Sequence, residues 1–279
     1  MYEIASRTYY KYNTFNPSEE PLALHEYRTQ LEPYVYMHLI EKYGTMLQAH
    51  WEHYIPPTKS NYAAVIVERR IHPNFRFILQ NIAWAAPYMS VYIFCSDVNK
   101  AFIHAILGDK KDNFRIIEAF IGNPSRTEAI KDYNNLLTMS TFYETIDANY
   151  MLTVQMDNII RKKLPLSIFT GDYWGNPWFW DKLQAGGGGA TIRRVSYMID
   201  LCKKYRPDIS IQNESNEDSW ISDKTITFPS IETRTEFSME SVPADDPYIL
   251  HQFWTFANPY IDLGKDIFIN YWSHLLTIS

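Results

Sequence analysis

The sequence predicts an α/β protein: a mainly parallel, Rossmann-type sheet flanked by helices and entered through an N-terminal helical extension. Three observations predict it. Four short apolar runs, rich in β-branched and aromatic residues, recur between residues 62 and 155. Each is separated from the next by a segment with helical spacing. Prolines and capping residues stand where those segments begin or stop. Strand–helix alternation of this kind gives parallel strands joined by right-handed crossovers.

The elements follow in order. Residues 1–20 read as an irregular arm. Leu24, Tyr27, Leu31, Tyr34, Val35, His38 and Leu39 recur at helical spacing, and Pro56-Pro57 ends the run, which predicts one or two helices. The arm and helices, residues 1–58, are expected to pack on a main domain of residues 59–279. Residues 62–67 form the first buried strand, 73–86 a helix stopped by Pro87, and 89–95 the second strand. Asp97 caps a helix through Leu107. The third strand covers 114–120. One long helix runs from Thr127, its N-cap, to Ile146, and the fourth strand covers 150–155. A less regular C-terminal half follows.

Composition bounds the function. Hydrophobic residues at 46% and charged residues at 21% are those of a globular chain, not a disordered one. A net charge of −6, with no basic run longer than Arg161-Lys162-Lys163, argues against nucleic-acid binding. No window approaches 18 uninterrupted apolar residues, and the N-terminus has no apolar signal-peptide core. Cys95 and Cys202 fit neither a disulfide framework nor a metal spacing. A soluble, cytoplasmic protein is expected. The 21 Tyr, 15 Phe and 8 Trp supply flat faces that suit sugars, although most must fill the core.

In open parallel sheets ligands bind at the carboxyl ends of the strands. Val67, Glu68, Arg69, Arg70 and His72 follow the first strand, and Gln155 and Asp157 follow the fourth. Arg69 can stack on a base or pair with phosphate. Asp157 can hold a metal or cap a turn. Gly186 to Gly189 form a glycine run whose entropic cost calls for a reason, such as close approach of a ligand. Trp174, Trp178 and Trp180 cluster just before it. Glu217-Asp218 opens a predicted helix, where acidic residues also serve as plain dipole complements.

The order of these motifs carries a resemblance. Val67-Glu-Arg-Arg-x-His-Pro-Asn74 is followed by Tyr133-Asn-x-Leu-Leu137, Gln155-x-Asp157 and Asp172-Tyr-x-Gly-x-Pro-Trp178. Gly187-Gly-Gly-x-x-x-Arg-Arg194, Glu217-Asp218, Phe237-Ser-x-Glu240 and a late histidine, His251, complete the series. The set resembles a family of GT-A-like glycosyltransferases found in large DNA viruses, algae and fungi, over about residues 62–255. The resemblance implies a UDP-sugar donor and a glycan or glycoprotein acceptor. Xylose is the sugar suggested, viral capsid glycan synthesis the setting, and the host cytoplasm the location. Residues 62–160 would be the nucleotide-sugar-binding half and 161–279 the acceptor-binding half.

Roles follow under that reading. Val67, Glu68, Arg69, His72, Gln155, Asp157, Gly187 and Gly188 would bind the donor. Trp178, Trp180 and Trp220 would meet the acceptor. Asp218 would be the base of an inverting transfer, with Glu217 the nearest alternative. Asp157 and His251 would hold Mn²⁺ or Mg²⁺. Many metal-dependent GT-A enzymes carry two carboxylates after the fourth strand; here Gln155 replaces the first, so metal independence is equally open. A glycoside hydrolase or a non-catalytic carbohydrate-binding protein are the rival classes.

Overall fold

The computed structural model describes residues 21–178, 181–205, 216–240, 242, 244–252 and 275–279. Helix α1, Pro21–His53, leads into strand β1, Tyr62–Val67. Helix α2 (Phe75–Ala85), strand β2 (Ser90–Ser96), helix α3 (Asp97–Leu107) and strand β3 (Arg115–Phe120) follow. Next come helices α4 (Arg126–Leu137) and α5 (Ser140–Glu144), strand β4 (Tyr150–Thr153) and the short strand β5 (Asn158–Ile160). The remaining elements are β6 (Tyr173–Asn176), β7 (Gly187–Arg194), α6 (Val195–Lys204), α7 (Glu217–Lys224), α8 (Ile231–Phe237), β8 (Ser238–Met239) and β9 (Ile249–His251).

The main sheet has the order β3-β2-β1-β4-β7-β6. Strands β1 to β4 run parallel, with Val65 opposite Tyr92 on one side and Thr153 on the other. Strand β7 is antiparallel to β4 and β6. Alternation along the strands divides the core. Ala64 and Ile66 of β1 join Ile93, Leu152 and the buried faces of α1 to α3. Ala63 and Val65 join Phe94, Met151, Tyr143 and Met198 beneath α5 and α6. The result is a mixed α/β fold, with a mainly parallel sheet covered by helices on both faces.

Three expectations need correction. The single helix over 127–146 is two helices. Its cap is Ser125, whose hydroxyl accepts from Glu128 N–H while the Glu128 carboxylate accepts from Ser125 N–H. The break falls at Thr138, whose hydroxyl donates to the carbonyls of Asn134 at 2.8 Å and Asn135 at 3.2 Å; a local side-chain bond competes with the helical ladder. Likewise Ser96, not Asp97, caps α3. The stretches before and after residue 160 are interleaved in the sheets. β4 pairs with β7, and β5 pairs with β9 in a second sheet of order β5-β9-β8. Both halves therefore build both sheets.

Among the described residues, no helix is long and apolar enough to cross a membrane.

Candidate functional site

The carboxyl ends of β1 and β4 open into a cleft of about 720 Å³, a size that suits a drug- or nucleotide-sized ligand. Sheet topology puts it there. Both strands stop on the same edge, where β7, antiparallel to β4, begins, and β7 and β9 supply the facing wall.

The first wall is made of charges that already answer one another. Arg69 donates from NH1 to Asp132 Oδ2 at 2.8 Å and from NH2 to the carbonyls of Ile121 and Gly122. Its guanidinium also lies 4.9 Å from the centre of the Phe120 ring. Glu68 is buried and receives Arg70 in a fork, at 2.8 Å from Nε and 2.7 Å from NH2. His72 accepts from Asn74 N–H through Nδ1 at 3.2 Å, and Glu32 of α1 approaches its Nε2 at 3.9 Å. Val67 lines the cleft beside them.

At the end of β4 the groups interlock. His251 lies between two carboxylates: Nε2 is 3.2 Å from Asp157 Oδ1, and Nδ1 is 3.1 Å from Glu240 Oε2. Burial opposes a charge on the ring, but Glu240 and Asp157 outweigh it and push the pKa up to about 10. Gln252 donates to the other Asp157 oxygen and holds the left-handed backbone at φ 45°, which costs about 1 kcal/mol or more for such a residue. Gln155 donates to the Tyr133 hydroxyl at 2.9 Å. Its carbonyl oxygen would lie 2.9 Å from a Cβ placed on Gly189, and such a Cβ would also strike the His251 ring. At Gly188, φ is 94°, and a Cβ would collide with the Glu240 carboxylate. The glycine run is thus part of β7, kept bare so that His251 and Glu240 can lie against the strand.

The third cluster opens α7. Glu217 is buried, and Arg193 donates to its Oε1 at 3.3 Å. Burial first, then the neighbouring Asp218, push the Glu217 carboxyl up to about 7 despite Arg193. Asp218 is held differently. Its Oδ2 accepts from Gly188 N–H at 3.3 Å and its Oδ1 from Ser219 N–H at 2.7 Å. No cation pairs with it among the described residues, and burial raises its pKa.

The cleft therefore gathers Val67, Glu68, Arg69, His72, Gln155, Asp157, Gly188, Glu217, Asp218 and His251 on its lining. Gly187 is not on that lining but lies directly against Asp218: a Cβ there would meet Asp218 Oδ2 at 2.5 Å and Trp178 Cζ2 at 2.8 Å. Among the described residues, no tryptophan lines the cleft. Trp178 is buried beneath the glycine strand. Trp220 has Lys224 Nζ 5.1 Å from its ring centre. Trp180 lies outside the described residues. Among the further residues that reach the cleft are Glu32, Arg126, Tyr133 and Glu240. Tyr133 and Glu240 stand in the ordered motifs and could have been found there. Glu32 and Arg126 have no local signal, because chain tracing from α1 and α4 alone brings them in.

This architecture defines an α/β protein with a ligand cleft at the carboxyl ends of its parallel strands. Residues 118–256 match a family described as a protein of unknown function (DUF5672). No curated protein sequence matches the chain. The chain is similar to the solved structure of the galactosyltransferase LgtC in complex with donor and acceptor sugar analogs. That similarity is 11% identity over 78% of this chain and 97% of the other, with a TM-score of 0.44. It is also similar to a putative glucose-1-phosphate thymidylyltransferase from Bacillus anthracis, at 8% identity over 61% and 86% of the chains and a TM-score of 0.38. A third is 4-diphosphocytidyl-2C-methyl-D-erythritol synthase from Anaerococcus prevotii, at 11% identity over 78% and 96% with a TM-score of 0.34.

Proposed function

We propose that this protein is a glycosyltransferase that moves a sugar from a UDP-sugar to a hydroxyl of a glycan or glycoprotein, with inversion at the anomeric carbon. One observation carries the reading. The cleft at the strand ends holds a carboxylate, Asp218, whose oxygens are aimed by backbone N–H groups and matched by no cation among the described residues. A general base needs such a state: oriented, raised in basicity by burial, and not neutralised by a salt bridge. Glu217 lacks it, because Arg193 occupies the carboxylate.

Charge balance supports a role for a cation with the donor. The lining carries six carboxylates: Glu32, Glu68, Asp157, Glu217, Asp218 and Glu240. Of its three arginines, Arg69 and Arg70 are already paired with Asp132 and Glu68. A diphosphate entering this field needs added positive charge. Among the described residues, no three His, Cys, Asp or Glu side chains are arranged to hold a metal by themselves. Mg²⁺ commonly takes one or two protein ligands and completes its shell with substrate phosphates and water. Asp157, with the Gln155 carbonyl nearby, fits that mode, and His251, 3.2 Å from Asp157, would join it on giving up the proton it holds between Asp157 and Glu240. Bound there, Mn²⁺ or Mg²⁺ would offset the charge of the departing nucleotide.

Asp218 then takes the proton from the acceptor hydroxyl as that oxygen attacks the anomeric carbon and the nucleotide diphosphate leaves. Xylose, and a viral capsid glycan as acceptor, are the first to try, on the strength of the ordered motifs. The test is calorimetry with UDP, followed by UDP release from UDP-xylose, UDP-glucose and UDP-galactose, with and without simple glycosides. Micromolar to millimolar UDP binding and acceptor-stimulated release are expected. Sugar release from a polymer without nucleotide would replace this reading with a hydrolase. Glycan binding without UDP affinity would replace it with a carbohydrate-binding protein.

A further inference from the structure

Strand β7 carries Arg193 into the core, where its side chain is almost wholly buried. A guanidinium in that position must spend its donors well. Nε donates to Thr191 Oγ1 at 2.9 Å, NH1 to the Tyr143 hydroxyl at 2.8 Å and NH2 to Glu217 Oε1 at 3.3 Å. The group also lies 5.2 Å from the centre of the buried Tyr173 ring. Tyr143 in turn donates to the Leu137 carbonyl at 2.7 Å, the last residue of α4. One side chain thus joins β7, the end of α4 and the start of α7.

Its hold on α7 falls at the first residue of the helix, next to Asp218. A second tie acts at the same place: Glu217 N–H donates to Asn134 Oδ1 of α4 at 3.4 Å. Further along, the helix is also held: Ser222 Oγ accepts from Gly186 N–H at 3.1 Å and Ile221 is buried. Trp220 and Asp223 are partly or largely exposed, and the Lys224–Asp223 pair lies on the surface. Asp218 meets the sheet at two neighbouring glycines: its Oδ2 accepts from Gly188 N–H, and its side chain lies so close over Gly187 that a Cβ there would be 2.5 Å from Oδ2. The Glu217 anchor next to it holds the helix end from which that side chain reaches β7.

We infer that Arg193 is a positioning residue: by gripping Glu217 it fixes the first turn of α7 so that the Asp218 carboxylate is held over Gly188 and faces the cleft. This rests on the reading of Asp218 as the general base. It gives Glu217 a share in the reaction without contact with substrate. A base displaced by about 1 Å loses roughly a hundredfold in rate while the donor still binds.

The experiment compares four proteins: Arg193→Lys, the paired replacement Arg193→Met with Glu217→Met, Asp218→Asn and the unaltered chain. Lysine keeps the charge but cannot make the three-way fork. The paired variant removes both charges together, so no lone charge is left buried and folding is preserved. Kinetics of UDP release are followed with UDP-xylose, UDP-glucose and UDP-galactose, and UDP affinity is followed by calorimetry. Both Arg193 variants are expected to lose about ten- to a hundredfold in kcat, with donor KM and UDP affinity changed less than about threefold. A merely structural arginine would lower both or neither.

The pH profile gives a second readout. Asp218 is faced by Glu217 and Ser219 of α7, by Gly188 N–H and Arg193 of β7, and by Tyr133, Tyr173 and Glu240 from α4, β6 and the segment after β8. Asp218 acts as a base in its deprotonated form and so sets the acidic limb of kcat; because the paired variant removes a cation and a carboxylate together, that limb should stay near its original place in both Arg193 variants while the height of the profile falls. Normal kcat in both Arg193 variants beside an inactive Asp218→Asn overturns the inference and leaves Asp218 as the base. An active Asp218→Asn, or no UDP release by the unaltered chain, overturns the reading of the site and the inference with it.

Discussion

The two walls of the cleft carry similar residues and treat them in opposite ways. On the wall built by the parallel strands, charges cancel: Arg69 meets Asp132, and Arg70 forks onto Glu68. On the wall built by β7, β9 and α7, carboxylates outnumber cations. Glu240 and Asp157 share one histidine, and Asp218 has two backbone N–H groups and the Ser219 hydroxyl but no cation among the described residues. The difference teaches where chemistry can reside. A satisfied ion pair shapes a wall, whereas a desolvated carboxylate without a cation keeps free energy available for a proton or a metal.

That contrast can be broken most sharply at Asp218. Replacing Asp218 with Asn keeps size and removes the base. Turnover should fall by about a hundredfold or more, with UDP affinity nearly unchanged. Product configuration, read from NMR coupling constants, should be opposite to that of the donor. Full activity in Asp218→Asn, or retained configuration, would end the proposed mechanism.

A smaller effect is expected where Asp157 and His251 meet. If they share a cation with the donor, chelation by EDTA or His251→Ala should weaken UDP binding by roughly ten- to a hundredfold. Added Mn²⁺ or Mg²⁺ should restore it in the chelated protein only. Binding and turnover that ignore EDTA would make the pair a plain salt bridge and the wall as self-contained as the other.

Arg69 tests the opposite wall. Arg69→Ala leaves Asp132 without its cation and opens the packing over Phe120. UDP affinity should drop only a few-fold, because the guanidinium is already spent, with a stability loss of about 1 kcal/mol, the upper range for a partly exposed pair. A loss beyond tenfold in UDP affinity would mean that the donor pulls Arg69 away from Asp132.

The smallest effect is on stability against pH without metal or donor. His251 has its folded pKa raised to about 10 from an ordinary 6.5. The folded state therefore binds a proton that the unfolded chain has released between those values. Its contribution is complete below about pH 6.5 and is lost as pH rises through about 10. Melting temperature should decline over that window and decline less in His251→Asn. Equal slopes in the two proteins would show that the ring is neutral in the native state.

Much of the scaffold was legible in the sequence, and for a definite reason. Strands β1 and β2 begin and end within one residue of expectation, because a strand buried on both faces must be a continuous apolar run. Strand β3 is placed as closely although it is a half-exposed edge strand, whose Ile116 and Ile117 still stand out between charged residues. The helix break at Thr138 was not legible, since a threonine hydroxyl returning to Asn134 leaves the apolar spacing intact. Asp157, Asp218 and His251 could be singled out by residue type and order. Their neighbours could not. That Arg69 is spent on Asp132, that Trp174 and Trp178 are buried in the core, and that Glu32 and Arg126 enter the cleft depend on contacts between residues distant in the chain.

The sequence by itself determined which segments are strand or helix, that the strands run mainly parallel, and which strand ends bear polar residues, because periodicity and caps are local properties of the chain. Tertiary structure alone decided which charges cancel. Glu217 and Asp218 are neighbours in sequence and both acidic. Only the fold brings Arg193 to one and leaves the other to two backbone N–H groups, and a carboxylate's basicity depends on the cation beside it and the water removed from it.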